Sequence, residues 1–314
     1  MKQKILIVGQ GNMAGEYVRV LKNKSNVDLV GVIGRNLIKL KDFSMRHEIP
    51  FFGNDVYDAI KSVRPDGVIV AINIENVRNE LKKIIDFNIP ILVEKPPGIN
   101  LAEYRKILSV ANTKRAIIFV GLNRRYYQHL IDIRNFFVES SYKYYLEITD
   151  QQQIDGSTIE KYNNQVVVNW PYANSIHQVD LINFFARGSA KVINKSIVKL
   201  NLELDQKIYF ITLEDENKNI IKFRSFWNLP SSWSLKIVNQ DKFIECEPME
   251  IIRTERNFEA TNGLISEGED KSQYKKGLEG LVDDFLRALL GESNSLVTLA
   301  DAEKTMSLIA EIYD

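Results

Sequence analysis

The chain has 314 residues, with 41 basic and 41 acidic side chains and a formal net charge of +0 at pH 7. Hydrophobic residues make up 45% of it, which is enough for a core and excludes wholesale disorder. The balanced charge provides no basic field for nucleic acid or for an anionic membrane, so we expect neither partner. The length favours two domains.

Cysteine, histidine and apolar patterns narrow the class further. The single cysteine, Cys246, cannot form an internal disulfide, which favours a reducing, cytoplasmic location. His47, His129 and His177 are far apart and lack ligand spacing, so we expect no metal site. No apolar run approaches the roughly 18 residues that span a bilayer. The short run at 5–8 ends at a glycine turn, which predicts a buried strand rather than a signal peptide.

Over residues 1–121 short apolar runs alternate with helical patterns. The predicted strands are 4–8, 28–33, 51–52, 67–71, 91–93 and 117–120. The first predicted helix follows Asn12. Four further helices are predicted at 39–47, 55–62, 77–87 and 101–111. This β-α-β-α order predicts an α/β fold with a parallel, doubly wound sheet.

Residues 122–314 have a different rhythm and form the predicted second domain. Strand-like segments lie at 142–149, 165–168, 192–214, 219–227 and 234–245, and helical patterns at 174–186, 278–290 and 299–312. We expect a mostly antiparallel sheet with one face covered by helices. The polar segment 250–277 is predicted to be a loop or a subunit contact.

A glycine turn, Gly9-x-Gly11-x-x-Ala14, joins the first strand to the first helix. The first glycine permits the tight turn, the second allows a pyrophosphate to approach, and the small third residue allows helix and strand to pack. The helix N-terminus, with Asn12 and Met13, offers free N–H groups to phosphates. The motif favours dinucleotide binding over a turn that only connects two elements.

The second strand ends at Gly34-Arg35-Asn36, without the acid that usually binds the ribose 2′-hydroxyl of NAD. Arg35 is suited to pair with a 2′-phosphate and to stack on the adenine. The charge pattern therefore favours NADP(H) over NAD. The alternative is that Arg35 is a solvated residue beside an NAD site.

Two further segments carry candidate chemistry. Lys95, in Glu94-Lys95-Pro96-Pro97, follows a buried strand at the sheet edge where α/β proteins bind ligands. A partly desolvated lysine there suits proton transfer, although a lone loop lysine is more often solvated. Asn174, His177 and Asp180 form one polar stripe on an otherwise apolar helix. His177 is a candidate proton carrier, or a hydrogen-bonded histidine in an interface.

These motifs, together with Gly121-Leu122-Asn123-Arg124-Arg125-Tyr126, resemble the Gfo/Idh/MocA family, the glucose–fructose oxidoreductase and inositol dehydrogenase group. The resemblance implies an N-terminal Rossmann domain, a C-terminal α/β domain that often forms oligomers, and hydride transfer between NAD(P) and a sugar, polyol or sugar-nucleotide carbon. It implies a homo-oligomer, dimer or tetramer.

The resemblance also implies roles for single residues. Lys95 would polarise the reacting oxygen, and His177 would carry its proton. The expected cofactor-binding residues are Gly9, Gly11, Asn12, Met13, Arg35, Asn36, Ile72, Asn73, Glu94, Lys95 and Asn123. The expected substrate-binding residues are Lys95, Arg125, Tyr126, Trp170, Asn174, His177 and Asp180.

The chain departs from the family pattern at several positions. Ala173 stands where many members have an aspartate four residues before the histidine, and Ile72-Asn73-Ile74 replaces a common Thr-Pro-Asn. The leading prediction is an NADP-preferring oxidoreductase that acts on a sugar or sugar nucleotide in surface-polysaccharide metabolism. Ala173 instead favours a non-catalytic dinucleotide-binding sensor or scaffold. A biliverdin-reductase-like enzyme is disfavoured by the Lys95 and His177 pair.

Overall fold

The computed structural model describes residues 2–257 and 273–314. They form two compact units. The first contains residues 2–123 and 273–303, and the second contains residues 124–257 and 304–314. The chain passes from the first unit to the second within a 3₁₀ turn, Asn123–Tyr126.

A seven-stranded sheet forms the centre of the first unit. Its strands are β1 (Gln3–Val8), β2 (Val27–Ile33), β3 (Phe52–Gly53), β4 (Gly67–Val70), β5 (Ile91–Glu94), β6 (Ile118–Gly121) and β14 (Val297–Thr298). The order is β14-β6-β5-β4-β1-β2-β3, and all pairs are parallel except β14 with β6. The helices are α1 (Asn12–Lys22), α2 (Leu37–Arg46), α3 (Val56–Val63), α4 (Ile74–Ile84), α5 (Leu101–Lys114) and α10 (Leu278–Leu289), with a 3₁₀ turn at Ile85–Phe87. The predicted Rossmann sheet is confirmed.

The central strands explain this arrangement. All four residues of β4 are buried, as are Ile91, Leu92 and Val93 of β5, because helices cover both faces of a parallel sheet. Capping side chains fix where helices begin: Asp55 accepts from the N–H groups of Tyr57 and Asp58 at the start of α3. Because β1, β2 and β4 are parallel, their carboxyl ends lie at the same edge of the sheet, where the glycine turn also lies.

One segment of the first unit comes from far along the chain. We predicted that all of 122–314 forms the second domain, but residues 273–303 cluster with the first unit. The physical reason is burial. β14 pairs with the edge strand β6, and Leu281, Val282 and Phe285 of α10 are buried.

A second seven-stranded sheet forms the centre of the second unit. Its strands are β7 (Tyr145–Gln152), β8 (Ala190–Asn201), β9 (Gln206–Asp215), β10 (Ile220–Trp227), β11 (Ser234–Val238), β12 (Lys242–Cys246) and β13 (Ile252–Asn257). The order is β13-β12-β11-β7-β10-β9-β8, antiparallel except for β10 with β7. The helices are α6 (Gln128–Val138), α7 (Gly156–Lys161), α8 (Asn164–Val168), a π-helical turn (Pro171–Ser175), α9 (Ile176–Phe185) and α11 (Ala302–Tyr313). The mostly antiparallel second sheet is confirmed.

Some sequence-based boundaries are wrong. The predicted strand at 165–168 is the short helix α8, whose first turn is capped by Asn163; only Val166 is buried, and Val168 is 70% exposed. The predicted loop at 250–277 contains β13, while its residues 258–272 lie outside the described residues. No helix in the described part of the chain combines the length and hydropathy needed to cross a membrane.

Candidate functional site

The glycine turn between β1 and α1 has a geometry that requires its first glycine. Gly9 has φ +137°, and a Cβ there would lie 2.1 Å from the carbonyl oxygen of Ala71. The second glycine, Gly11, precedes α1 without a side-chain cap, and a Cβ there would meet no atom of the described residues within 4 Å. The turn therefore leaves the N–H groups of the first helical turn accessible beside open space. This arrangement fits a dinucleotide pyrophosphate.

A cleft of about 640 Å³ runs along the carboxyl ends of β1, β2 and β4. Six of the residues predicted to bind cofactor line it: Gly9, Gly11, Arg35, Asn36, Ile72 and Asn73. Sequence reasoning missed the other polar side chains of the lining, which are Gln10, Lys39, Asn54, Asn76 and Glu80. Within the described residues the buried Oε1 atom of Gln10 finds no hydrogen-bond donor.

The end of β2 places positive charge in this cleft. The exposed Arg35 side chain donates from Nη1 to Oδ1 of Asn76 over 3.2 Å. Asn36 accepts from the backbone N–H of Lys39 over 3.1 Å and so begins α2, which brings Lys39 to the cleft. Lys39 lies in the first turn of α2, four residues after Arg35. Positions 34–39, directly after β2, therefore hold two cations and no carboxylate.

Glu94, at the end of β5, is tied to the first helix. The Tyr17 hydroxyl donates to its Oε1 over 2.7 Å. Burial raises the pKa of Glu94, although Tyr17, Lys95 and Lys275 favour its charged form. Lys95 follows directly and precedes a cis peptide bond to Pro96. Both residues lie at the same sheet edge as the glycine turn.

The remaining predicted cofactor residues lie near the start of α1 and the end of β6. Asn12 and Met13 are the first two residues of α1. Asn123 is 6% exposed and donates from Nδ2 to the carbonyl oxygen of Lys276 over 2.8 Å. Its amide therefore holds the segment that precedes α10. Lys275, in that segment, lies 3.1 Å from Met13 Sδ, and no sequence motif pointed to it.

In the second unit, His177 lies in the first turn of α9 and is 9% exposed. The π-helical turn before it carries Asn174, and Trp170 precedes that turn. Both side chains donate to Oε1 of Gln152, Asn174 over 2.8 Å and Trp170 over 2.9 Å. Gln152, on β7, therefore fixes two of the predicted substrate-binding residues.

A buried carboxylate on the same strand anchors this region. Asp150 accepts from Ser175, Ser225 and Tyr313 at 2.8, 2.8 and 3.0 Å, and Gln152 donates to its other oxygen. Burial raises the pKa of Asp150. Sequence reasoning missed this network because its members come from β7, β10, the π-helical turn and α11.

Arg125 and Asp180 form a bidentate ion pair, with both N···O distances 2.7 Å. Asp180 is 2% exposed and also accepts from the Thr305 hydroxyl over 2.9 Å. Its carboxylate therefore orients Arg125, whose side chain is partly exposed. Tyr126, the neighbouring predicted residue, is half-buried. In the described part of the chain no cluster of three or more His, Cys, Asp or Glu side chains is arranged to hold a metal ion.

This fold and its cleft define a nucleotide-binding protein of the Rossmann class. Residues 3–122 match the GFO_IDH_MocA model, described as an oxidoreductase family with an NAD-binding Rossmann fold. Residues 3–122 therefore resemble the NAD-binding Rossmann domain of the Gfo/Idh/MocA oxidoreductase family, and the resemblance seen in the sequence is confirmed over that region.

Sequence relatives match over part of their length. A glutamyl-tRNA reductase of Thermoplasma acidophilum is 32% identical over 117 residues, which cover 35% of this chain and 27% of that protein. The human trans-1,2-dihydrobenzene-1,2-diol dehydrogenase is 24% identical over 127 residues, which cover 38% of this chain and 37% of that protein. The matched region thus spans about a third of these relatives.

Solved structures resemble the chain over almost its whole length. A dehydrogenase from Chromobacterium violaceum has a TM-score of 0.83 at 16% identity and covers 99% of this chain and 94% of its own. A UDP-N-acetylglucosamine 3-dehydrogenase from Acidithiobacillus ferrooxidans has a TM-score of 0.75 at 14% identity, with 99% and 97% covered. At these identities the likeness establishes the fold.

Proposed function

We propose that this protein is an NADP(H)-preferring oxidoreductase that transfers a hydride to or from a sugar or sugar-nucleotide carbon. The observation that carries the proposal is the cleft of the Rossmann unit, which joins an accessible helix N-terminus to the Arg35 and Lys39 cations. Pyrophosphate and 2′-phosphate groups are complementary to these two features.

The preference for NADP(H) is supported by charge. A 2′-phosphate near the end of β2 would find the Arg35 guanidinium and the Lys39 ammonium, with no carboxylate at positions 34–36 to repel it. The hydrogen bond from Arg35 to Asn76 holds the guanidinium at the cleft before any ligand arrives. A partly fixed guanidinium loses less conformational freedom on binding.

The proposed chemistry divides between the cofactor and the chain. The nicotinamide supplies the hydride chemistry when it is bound. Lys95 polarises the oxygen of the reacting carbon, and His177 takes the hydroxyl proton during oxidation or returns it during reduction. Glu94, held by Tyr17, would lie beside the nicotinamide ribose.

A carbohydrate substrate is supported by the polar side chains of the second unit. Asn174, Arg125 and His177 offer donors and acceptors suited to hydroxyl groups, and Trp170 adds an aromatic surface. The fold neighbours include a sugar-nucleotide dehydrogenase. The proposal includes a role in surface-polysaccharide metabolism.

Ala173 supports a second candidate, a non-catalytic dinucleotide sensor or scaffold. This position, in the π-helical turn, carries a methyl group in place of a proton-transfer group. Such a protein would bind the dinucleotide without turnover.

We also propose that the protein works in the cytoplasm as a homo-oligomer, a dimer or tetramer. The support for self-association is strand β8, where Ile193, Leu200 and other apolar side chains are exposed. Leu200→Lys should shift the mass measured by analytical ultracentrifugation towards the monomer; an unchanged mass would contradict this proposal.

The decisive experiment titrates the protein with NADPH and NADH by fluorescence, and then screens sugars, polyols and sugar nucleotides for a change in nicotinamide absorbance. Tighter NADPH binding with turnover of a carbohydrate supports the enzyme. Tight binding with no turnover of any carbohydrate favours the sensor, and no binding of either dinucleotide overturns both.

A further inference from the structure

The segment at 273–277, just before α10, lies along helix α1. Arg19 donates from Nη2 to the carbonyl oxygen of Gln273 over 2.8 Å, and Asn23 bonds the hydroxyl of Tyr274. Lys24, after α1, forms ion pairs with Glu279 and Asp283 of α10 at 3.1 and 2.7 Å. Several independent contacts therefore hold this segment in one register on α1.

That register brings Lys275 to the start of α1. Its ammonium lies 3.1 Å from the sulfur of Met13, the second residue of the helix, although 262 positions separate the two residues in sequence. The same ammonium is close enough to Glu94 to lower the pKa of that carboxyl. Lys275 is exposed, so it is open to a ligand.

The start of α1 disfavours a cation, whereas the Glu94 carboxyl, when charged, favours one. The N-terminus of a helix carries about half a positive charge, which repels an ammonium group. A thioether sulfur is only a weak acceptor and compensates little of this repulsion. An anion bound at the helix N-terminus would stabilise this arrangement, because it would interact favourably with both the helix and the ammonium.

We propose that Lys275 binds the pyrophosphate of the dinucleotide and closes the phosphate site opposite the glycine turn. The inference rests on the proposed function, since it needs a dinucleotide in the cleft. Gly11 leaves space beside the helix N-terminus, because a Cβ at that position would meet no atom within 4 Å in the part of the chain that the structure describes. The pyrophosphate site thus combines the glycine turn, from the early segment of the first unit, with Lys275, from its late segment.

The test measures dissociation constants of the full-length protein by calorimetry and needs no turnover. NADPH, NADH and ADP-ribose contain the pyrophosphate, whereas adenosine 2′-monophosphate does not. Lys275→Ala should weaken the first three about tenfold and leave the fourth unchanged, and Lys275→Arg should retain most of the affinity. The matched control is Lys22→Ala, at the opposite end of α1, where Lys22 pairs with Glu48 over 2.8 Å.

Other results overturn the proposal. Equal affinities in wild type and Lys275→Ala would remove Lys275 from the phosphate site. A loss of affinity confined to NADPH and NADH, with ADP-ribose binding unaffected, would mean that Lys275 contacts the nicotinamide end of the cofactor. If wild type binds none of the four ligands, the proposed function itself fails. Lys275→Gln, which keeps the apolar stem, replaces the alanine variant if the latter unfolds at a lower temperature.

Discussion

The Tyr17 hydroxyl on α1 donates to Glu94 at the end of β5, over 2.7 Å, and couples the first helix to the sheet edge that carries Lys95. Burial raises the pKa of both groups, that of Tyr17 well above its usual value. A Cβ at Gly121 would lie 3.1 Å from this hydroxyl, so the close approach favours glycine there. The hydrogen-bonded pair of Tyr17 and Glu94 is therefore part of the candidate cofactor site.

The Tyr17–Glu94 pair predicts a pH-dependent stability. Because the pKa of Glu94 is higher in the folded than in the unfolded protein, its contribution to stability falls as pH rises above the unfolded value of about 4.5. Glu94→Gln keeps an acceptor for Tyr17 and removes this loss. The variant should therefore gain melting temperature relative to wild type as pH rises, as measured by calorimetry from pH 4 to pH 8. A difference that is constant with pH would contradict the raised pKa.

Substitution of the two glycines in the turn should have different effects on stability and on dinucleotide binding. Gly9→Ala places a methyl group 2.1 Å from the Ala71 carbonyl oxygen at φ +137°, and should destabilise the fold by about 2 kcal/mol or more. The added methyl of Gly11→Ala would have no neighbour within 4 Å among residues 2–257 and 273–314, so the variant should keep its melting temperature but lose dinucleotide affinity. Thermal unfolding and fluorescence titration separate these effects. Unimpaired binding by Gly11→Ala would place the pyrophosphate elsewhere.

Cofactor preference should depend on the residues after β2. Arg35→Ala and Lys39→Ala should each weaken NADPH binding about tenfold or more while changing NADH binding little, because each removes a partner of the 2′-phosphate. Lys41→Ala, an exposed cation on the same helix that does not line the cleft, is the control. Equal losses for both cofactors would mean that neither side chain reads the 2′-phosphate.

The proton-transfer roles make a separate prediction. Lys95→Ala and His177→Ala should each reduce kcat by at least about a hundredfold, since general acid–base groups act on the reacting oxygen. His177→Ala should also leave the NADPH dissociation constant nearly unchanged. Stopped-flow turnover and fluorescence titration provide the two readouts. Wild-type turnover in both variants would exclude them from the chemistry.

The buried network around Asp150 should govern substrate affinity. Asp150→Asn keeps the shape but weakens acceptance from Ser175, Ser225 and Tyr313, and should raise KM for the carbohydrate while NADPH affinity stays the same. Asp241→Asn, in an exposed turn of the same unit, is the control. If KM does not move, the network serves stability alone.

Much of the first unit was predictable because its signals are local. The run at 5–8, the spacing of Gly9, Gly11 and Ala14, and the Glu94-Lys95-Pro96 segment each lie within a few residues. Short-range patterns of this kind determine a strand, a turn and a helix start. The doubly wound sheet followed from their order.

The errors arose where distant residues decide the structure. The valines at 166–168 favour a strand by propensity, yet the Asn163 cap and the exposure of Val168 accompany a helix. The sequence also did not show that the Asp180 carboxylate, a predicted substrate ligand, accepts from Arg125 and Thr305. Lys275 and the pairing of β14 with β6 depend on contacts across more than a hundred residues, which periodicity does not record.

The return of residues 273–303 to the Rossmann unit has a consequence for biosynthesis. As the chain leaves the ribosome, β6 remains an uncovered sheet edge and the hydrophobic side of α10 is missing until this late segment has been made. Nascent chains paused before it should therefore be sensitive to proteases and should recruit chaperones.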